Sequence, residues 1–467
     1  MSTDIRAVEG AFAPVREEVT AFDLPVTGRI PDQLNGRYLR NGPNPLGLED
    51  PAGHHLFVGD GMVHGVRLRD GRAEWYRNRW VRSQRVAERL GEVWKGGPVH
   101  AGMDFAPNTH VIGHAGRTFA IVEAGSRPYE LGYELDTLGP CDFDGGLPGG
   151  YTAHTKLDPV TGELHAVAYF FGWQYLQHIV IDAAGRVVRT TDVPVADGPM
   201  VHDFALTERY VVLYDLPVTF SMDAAAAGER LPYQWNDDHP PRVGLLPRDG
   251  SAADVRWLEV EPCFVFHTLN AYDEGGRVVV DTVRYPGRFD ALRLHSAEQP
   301  VLDRWTLDPA GGSVRTDRIG GASEEFPRVD ERTVSRPHRY GYTALIPDLV
   351  DLFTPGTADE GPSALATPDL GNELVKYDLL RGTREVHRLG REAYVGEGVF
   401  APRSPDAAED DGYVLAFAHN PERDAADLLI LSAQDFTGAP VARVHLPRRI
   451  PLGFHGSWIP DQPDDRA

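Results

Sequence analysis

One phrase recurs along the 467 residues and limits what they can fold into: a short apolar run, a turn built on Asp and Gly, then another apolar run. It occurs as Val66-Arg67-Leu68-Arg69-Asp70-Gly71-Arg72, as Leu157-Asp158-Pro159-Val160-Thr161-Gly162-Glu163-Leu164 and as Val180-Ile181-Asp182-Ala183-Ala184-Gly185-Arg186-Val187-Val188. It returns as Ala271-Tyr272-Asp273-Glu274-Gly275-Gly276-Arg277-Val278 and as Lys376-Tyr377-Asp378-Leu379-Leu380-Arg381-Gly382-Thr383. Each is a hairpin signal, because Asp and Gly accept the backbone angles of tight turns while the flanking apolar residues suit half-buried strands. Amphipathic helical periodicity is scarce outside residues 81–94. The expectation is an all-β fold, and a propeller fits better than a sandwich: at about 40–50 residues per four-stranded blade, the length makes six or seven blades. Residues 1–30 read as an N-terminal arm interrupted by Pro14 and Pro25. Insertions are expected at 215–247, which holds Ala224-Ala225-Ala226-Ala227, and at 351–371. No polar linker separates two halves, so 1–467 is read as a single domain.

A propeller brings the inner strand of every blade to a common axis, where residues distant in sequence meet. Four histidines sit in apolar strand-like settings with no obvious structural purpose for an imidazole, although each taken alone reads as a hydrogen-bonded core residue: His154 in Tyr-Thr-Ala-His-Thr-Lys, His202 in Met-Val-His-Asp-Phe, His267 in Phe-Val-Phe-His-Thr-Leu and His455 in Leu-Gly-Phe-His-Gly-Ser-Trp. Their separations of 48, 65 and 188 residues suit one ligand per blade and no local zinc motif. His-Glu-x-x-His, Cys-x-x-Cys and a P-loop are all absent, and the Gly145-Gly146-Leu147-Pro148-Gly149-Gly150 cluster lacks the strand-to-helix context of a nucleotide loop. Four neutral imidazoles bind Fe, Zn, Cu or Ni, so ligand type alone does not choose the metal.

Composition narrows the partners. Lys+Arg 46 against Asp+Glu 69 leaves a net charge of −23 with no basic run, which disfavours nucleic acid and anionic lipid. Cys141 and Cys263 are too few for a disulfide framework and are read as reduced. No stretch approaches the roughly 18 apolar residues of a membrane helix. The N-terminus lacks the pattern of a signal peptide, so a cytoplasmic location is the default expectation.

Further motifs appear in order: Gly36-Arg37-Tyr38-Leu39-Arg40-Asn41-Gly42-Pro43-Asn44-Pro45, Gly59-Asp60-Gly61-Met62-Val63-His64-Gly65, Ala153-His154-Thr155-Lys156-Leu157-Asp158-Pro159, Met200-Val201-His202-Asp203-Phe204, Glu325-Phe326-Pro327-Arg328-Val329-Asp330 and Phe454-His455-Gly456-Ser457-Trp458. In this ordered set, which spans almost the whole chain, the sequence resembles the carotenoid cleavage oxygenases, a family that includes apocarotenoid oxygenases, lignostilbene dioxygenases and the retinoid isomerase of the eye. The resemblance implies a seven-bladed β-propeller with a cap of loops and short helices over an axial metal site. It implies one non-haem Fe(2+) per chain, held by His154, His202, His267 and His455, with O2 as co-substrate. It also implies three outer glutamates that accept hydrogen bonds from ligand imidazoles: Glu123 for His202, Glu325 for His267 and Glu397 for His455. Thr109 matches the position whose side chain crowds an open coordination site, whereas His64 is taken as structural.

The family reaction is oxidative cleavage of a conjugated carbon–carbon double bond by O2 into two carbonyl products. Phe57, Phe170, Phe171, Trp173, Phe264 and Phe266 are candidates for an apolar tunnel wall. Enzymes of the lignostilbene type carry a lysine immediately before the first outer glutamate; here that residue is Val122, which favours a carotenoid or apocarotenoid over a hydroxystilbene. The stilbene dioxygenase reading stays open as the alternative, beside the family branch that isomerises and hydrolyses retinyl esters and a binding propeller without chemistry. Access to a membrane-borne polyene calls for an apolar patch in peripheral contact with the membrane, for which residues 81–94 and 220–231 are the candidates.

Overall fold

The computed structural model describes residues 13–47, 56–229, 231–290, 295–296, 298–345, 373–390 and 393–462. Among these, the strands form seven antiparallel sheets of four or five strands and two two-stranded ribbons. The seven sheets are the blades of a propeller. All five Asp/Gly phrases fall on hairpins; Asp70-Gly71, for example, joins Gly61–Arg69 to Arg72–Trp80, and Gly275-Gly276 joins Cys263–Glu274 to Arg277–Pro286.

Within a blade, burial follows position. The second strand Arg277–Pro286 is buried along nearly its whole length, whereas the outermost strand Ser313–Ala322 of the same blade is largely exposed and carries Arg315, Asp317 and Arg318. A middle strand is covered on both faces by the neighbouring blades, so it reads as a continuous apolar run, here Val278, Val279, Val280 and Val283. Burying each such valine contributes roughly 1.5–3 kcal/mol.

The ring closes by exchange between the termini. The C-terminal strand Gly456–Pro460 is the inner strand of a blade whose other strands, starting with Gly36–Pro43, come from the N-terminal region. Five residue pairs run from Gly36↔Pro460 to Arg40↔Gly456. Gly456 has to be glycine, since a Cβ there would lie 2.4 Å from the Leu39 carbonyl oxygen. The arm contributes the outermost strands of two blades, Thr20–Phe22 beside Arg72–Trp80 and Val26–Gly28 beside Ala442–His445.

The expected insertion at 215–247 is shorter in the structure. It holds the ribbon Val218–Phe220 with Tyr233–Trp235 and the helix Met222–Ala226, but Arg242–Pro247 is an inner-sheet strand paired with Tyr210–Asp215. Gly244 in that strand is required because the Trp257 ring lies 2.7 Å from where its Cβ would be. The helical signal in 81–94 becomes the short helix Gln84–Leu90, capped by Ser83, whose hydroxyl accepts from the Val86 amide, and ended by Gly91 at φ 72°. The insertion at 351–371 and residues 1–12 of the arm lie outside the described residues.

His239 ties the loop after the ribbon to the propeller. Its Nδ1 lies 2.9 Å from Asp197 and its Nε2 2.8 Å from Asp215, which also takes Arg242. Only an imidazolium can donate from both nitrogens. Burial alone would lower this histidine, but its hydrogen bonds to Asp215 and Asp197 outweigh it and hold the ring above its ordinary 6.5. A histidine raised in the folded state contributes fully below the unfolded value and loses that contribution as pH rises through the folded one. Thermal unfolding across a pH series should therefore place His239→Gln about 1–3 kcal/mol below wild type in acid, with the gap narrowing as pH rises; a gap that is constant with pH would contradict the clamp.

Candidate metal centre

Each of the seven blades sends a polar group to the axis. His154 immediately precedes the inner strand Thr155–Leu157, His202 lies just ahead of Ala205–Leu206, His267 is within Cys263–Glu274 and His455 precedes Gly456–Pro460. The other three blades supply Glu123, after Arg117–Ile121, Glu325, in Glu324–Arg328, and Glu397, before Val399–Pro402. All four histidines are buried, and one ring nitrogen from each falls within 4.8 Å of the others. Successive Nε2 atoms are 3.0 Å apart for His154 and His202, 3.2 Å for His202 and His267, and 3.1 Å for His267 and His455.

The far side of three rings is held by carboxylate. His202 Nδ1 lies 2.9 Å from both oxygens of Glu123, His267 Nδ1 2.5 Å from Glu325 and His455 Nδ1 2.9 Å from Glu397. These are the pairings the resemblance implies. An Nδ1–H donated to a carboxylate fixes the tautomer with the Nε2 lone pair aimed at the axis. For His154 the structure gives no carboxylate partner among the described residues. Burial, followed by the other imidazoles, pushes His154 and His455 well below the ordinary histidine range, so they are neutral donors. Burial acts the same way on His202, but the Glu123 carboxylate outweighs it and raises the ring.

The carboxylates are themselves held. Glu325 accepts from the Tyr285 hydroxyl at 2.8 Å and the Phe326 amide at 2.8 Å. Burial pushes its carboxyl up, yet His267 and these hydrogen bonds leave it below the ordinary glutamate range. Glu397 accepts from the Gly456 amide at 2.8 Å and from the partly buried Arg328 guanidinium at 2.9 Å. Glu123 takes the Tyr169 hydroxyl. Ala124 at φ 57° and Phe326 at φ 53°, each directly following one of these glutamates, are in the left-handed region without being glycine. Such strain persists only where the surroundings enforce it.

Thr109 precedes the inner strand His110–His114; its carbonyl accepts from the His455 amide at 3.0 Å and its hydroxyl donates to Asn108 at 3.1 Å. His64 stands apart, with Nδ1 3.0 Å from the Tyr76 hydroxyl. Cys141 and Cys263 are buried free thiols. Of the aromatic candidates, Phe266 packs on His202 at 5.3 Å and on Phe264 at 4.8 Å, and Phe57 lies 6.3 Å from Phe266. Phe170, Phe171 and Trp173 form a second group, with Phe170 5.3 Å from Phe171 and 5.7 Å from Trp173. Val122 is buried.

A cavity of about 650 Å³ also reaches His154, His267 and His455, and its lining contains none of those six aromatics. It is bordered instead by residues that follow the histidines on the inner strands, Lys156, Asp203, Thr268, Asn270 and Ser457 among them. Sequence reasoning did not single out Tyr169, Tyr285, the Lys156–Asp203 pair at 3.0 Å or His110, whose ring is 5.4 Å from that of His455. None carried a signal, since a tyrosine or lysine in a strand looks the same whether or not its polar end meets the axis.

The chain matches a family model described as Retinal pigment epithelial membrane protein over residues 12–460. It is 47% identical to the carotenoid cleavage oxygenase of Mycobacterium tuberculosis (strain H37Rv), over 97% of both chains. The chain belongs to the carotenoid cleavage oxygenase family. It is also 31% identical, over 97% of both chains, to an isoeugenol monooxygenase of Pseudomonas nitroreducens. Among solved structures, the Pseudomonas brassicacearum lignostilbene dioxygenase superposes with a TM-score of 0.84 at 30% identity over 98% of both chains. Cobalt-substituted Synechocystis ACO superposes at 0.82 with 27% identity, over 98% of this chain and 99% of the other.

Four buried imidazole nitrogens, three of them on rings oriented by carboxylates that offset charge without taking coordination positions, suit a divalent transition metal. Glu325→Gln should lower divalent-metal affinity about 10–100-fold in a competition titration against a chelator, with the circular dichroism spectrum unchanged; an unchanged affinity would separate Glu325 from the centre.

Proposed function

We propose that this family member is a non-haem Fe(II) dioxygenase that adds O2 across a conjugated C=C bond of a carotenoid or apocarotenoid and releases two carbonyl products. The observation that carries the reading is the convergence of four imidazoles from four blades, backed by three carboxylates from the other three, in a chain 47% identical to a cleavage oxygenase. His154, His202, His267 and His455 would hold the iron, whose part when bound is to let O2 react with an alkene.

The chain's own residues define the rest. Glu123, Glu325 and Glu397 orient the imidazoles and balance the divalent charge. Thr109 has its hydroxyl committed to Asn108, which leaves its methyl group to crowd an open coordination position. Phe57, Phe266 and Phe454 form a water-excluding wall, with Phe57 5.4 Å from Phe454. We read 1–467 as one functional domain. Peripheral membrane contact is assigned to the exposed apolar side chains of the two candidate segments, Val93 at 93% and Met222 at 70% exposure. No helix among the described residues is long and apolar enough to cross a membrane.

A stilbene substrate is the second reading, favoured by the lignostilbene and isoeugenol relatives. Val122 argues against it, because a valine offers no cation to a phenol oxygen. The deciding experiment feeds iron-loaded protein an apocarotenal and resveratrol under ¹⁸O2. The expected result is cleavage of the polyene with label in both products, no iron and no turnover in His202→Ala, and an apocarotenal kcat/KM lowered about tenfold or more in Val122→Lys, where an ammonium would intrude on an apolar wall. Aromatic aldehydes from resveratrol with the polyene untouched would reverse the substrate assignment. A folded protein that takes up no iron and equals its His202→Ala variant would leave only a binding propeller. Co-sedimentation with neutral liposomes should fall when Val93 and Met222 are both changed to Asp; equal sedimentation would remove the membrane contact.

A further inference from the structure

The ribbon of Val218–Phe220 with Tyr233–Trp235 holds a buried phenol. Tyr233 is 1% exposed, and its hydroxyl has no hydrogen-bond partner among the described residues. Its ring is enclosed by Tyr169 at 5.9 Å, Phe171 at 5.8 Å and Phe220 at 6.0 Å. Two other buried phenols also lack partners among the described residues, Tyr151, whose ring packs on Phe143, and Tyr342, whose ring packs on Phe400 and Phe436, and neither is among the rings around Tyr233. Near the centre the remaining phenols are spent: Tyr169 on Glu123 and Tyr285 on Glu325. Tyr233 therefore stands one side chain removed from the carboxylate behind His202, in an aromatic wall that continues through Phe171 and Phe170 to Trp173 and His100. A buried hydroxyl left unmatched costs stability, and the cost is recovered when a ligand supplies the acceptor.

We propose that the Tyr233 hydroxyl is the hydrogen-bond donor that grips a terminal carbonyl oxygen of the substrate, so that this site selects an apocarotenal over a hydrocarbon polyene. The proposal rests on the polyene reading of the same site and specifies the substrate's end group. Val122 supplies no cation, and among the buried donors of this wall the Tyr233 phenol is the one left unmatched. Burial, then the Glu123 carboxylate, pushes Tyr233 well above the ordinary tyrosine range, so it stays protonated and donates. The same carboxylate repels a phenolate, while an aldehyde carries no charge to be repelled. The acceptor is thus a neutral oxygen.

The test pairs wild type with Tyr233→Phe, using an apocarotenal and the hydrocarbon of equal polyene length. For the aldehyde, KM should rise about fivefold to tenfold in the variant with kcat unchanged, while the hydrocarbon's KM stays the same. Bound anaerobically, the aldehyde's absorption band should lie further to the blue in Tyr233→Phe than in wild type, because a hydrogen bond to the carbonyl lengthens the absorbing wavelength. Phe220→Leu, which alters the same wall without touching a polar atom, should move both KM values together. Equal KM changes for the two substrates in Tyr233→Phe, or identical bound spectra, would overturn the proposal while leaving the oxygenase reading intact. A wild type that binds the aldehyde but cleaves neither polyene would sink the oxygenase reading, and the bound spectra would still decide for or against Tyr233. Failure to bind the aldehyde at all would end both.

Discussion

Four imidazole nitrogens within hydrogen-bonding distance of one another, with no proton available to place between most of them, are the constraint on which this structure turns. Once Nδ1–H of His202, His267 and His455 is donated to carboxylate, each Nε2 presents a lone pair, and neighbouring Nε2 atoms stand 3.1–3.2 Å apart. Lone pairs at that separation repel unless a cation lies among them. The arrangement is therefore complementary to a metal and strained in its own terms, and it has to be enforced by the scaffold. Closure of the ring provides the enforcement. His455 reaches the axis only because Gly456–Pro460 is pinned to Gly36–Pro43, and the His455 amide and carbonyl are in turn fixed by Thr109 and Asn41.

The same logic explains the cost accepted around the centre. Glu325 and Glu397 are almost wholly buried, and an unpaired buried carboxylate is strongly unfavourable. Each is stabilised by several donors: an imidazole, a backbone amide and either the Tyr285 hydroxyl or the Arg328 guanidinium. The left-handed turns at Ala124 and Phe326 and the sheet irregularities at Val265/Thr268 and Glu325/Arg328 all flank metal-facing side chains. Regular strands alternate their side chains strictly, so aiming a histidine or glutamate at a common point requires local departures from the ladder. Register shifts also occur in outer pairs, at Val180/Ile181 and Val301/Asp303, but those beside the axis are the ones that aim side chains at a common point.

What could be read from sequence divides along this line. Hairpins were legible because their signal is local: the Asp-Gly turns carry their own backbone preference wherever they occur. The strand Arg242–Pro247 was not, because Gly244 reads as a loop residue until the Trp257 ring packed on it is known. His154, His202, His267 and His455 were legible only as an ordered set, with the propeller supplying the reason for their distance in sequence. The glutamates are three among 69 acidic residues and became distinguishable only through their motifs. Tyr169, Tyr233, Tyr285 and His239 were invisible, because the partner of a phenol or an imidazole tip is chosen by tertiary packing, and no local pattern encodes it.

The inner strands also encode which way the centre faces. Aromatic residues precede two of the histidines, Phe264 and Phe266 before His267 and Phe454 before His455; polar residues follow all four, Lys156 after His154, Asp203 after His202, Thr268 and Asn270 after His267, and Ser457 after His455. The strands run in the same sense about the axis, so this order becomes a division in space. One side of the histidine ring is an aromatic wall, and the other is the charged axial cavity with its Lys156–Asp203 and Arg328–Glu397 pairs. An apolar polyene approaching through the cavity would have to strip water from these ions, whereas along the aromatic wall it replaces water against carbon and gains by it. The residues on either side of four histidines, on four inner strands, thus set the polarity that a polyene would meet on each side of the centre.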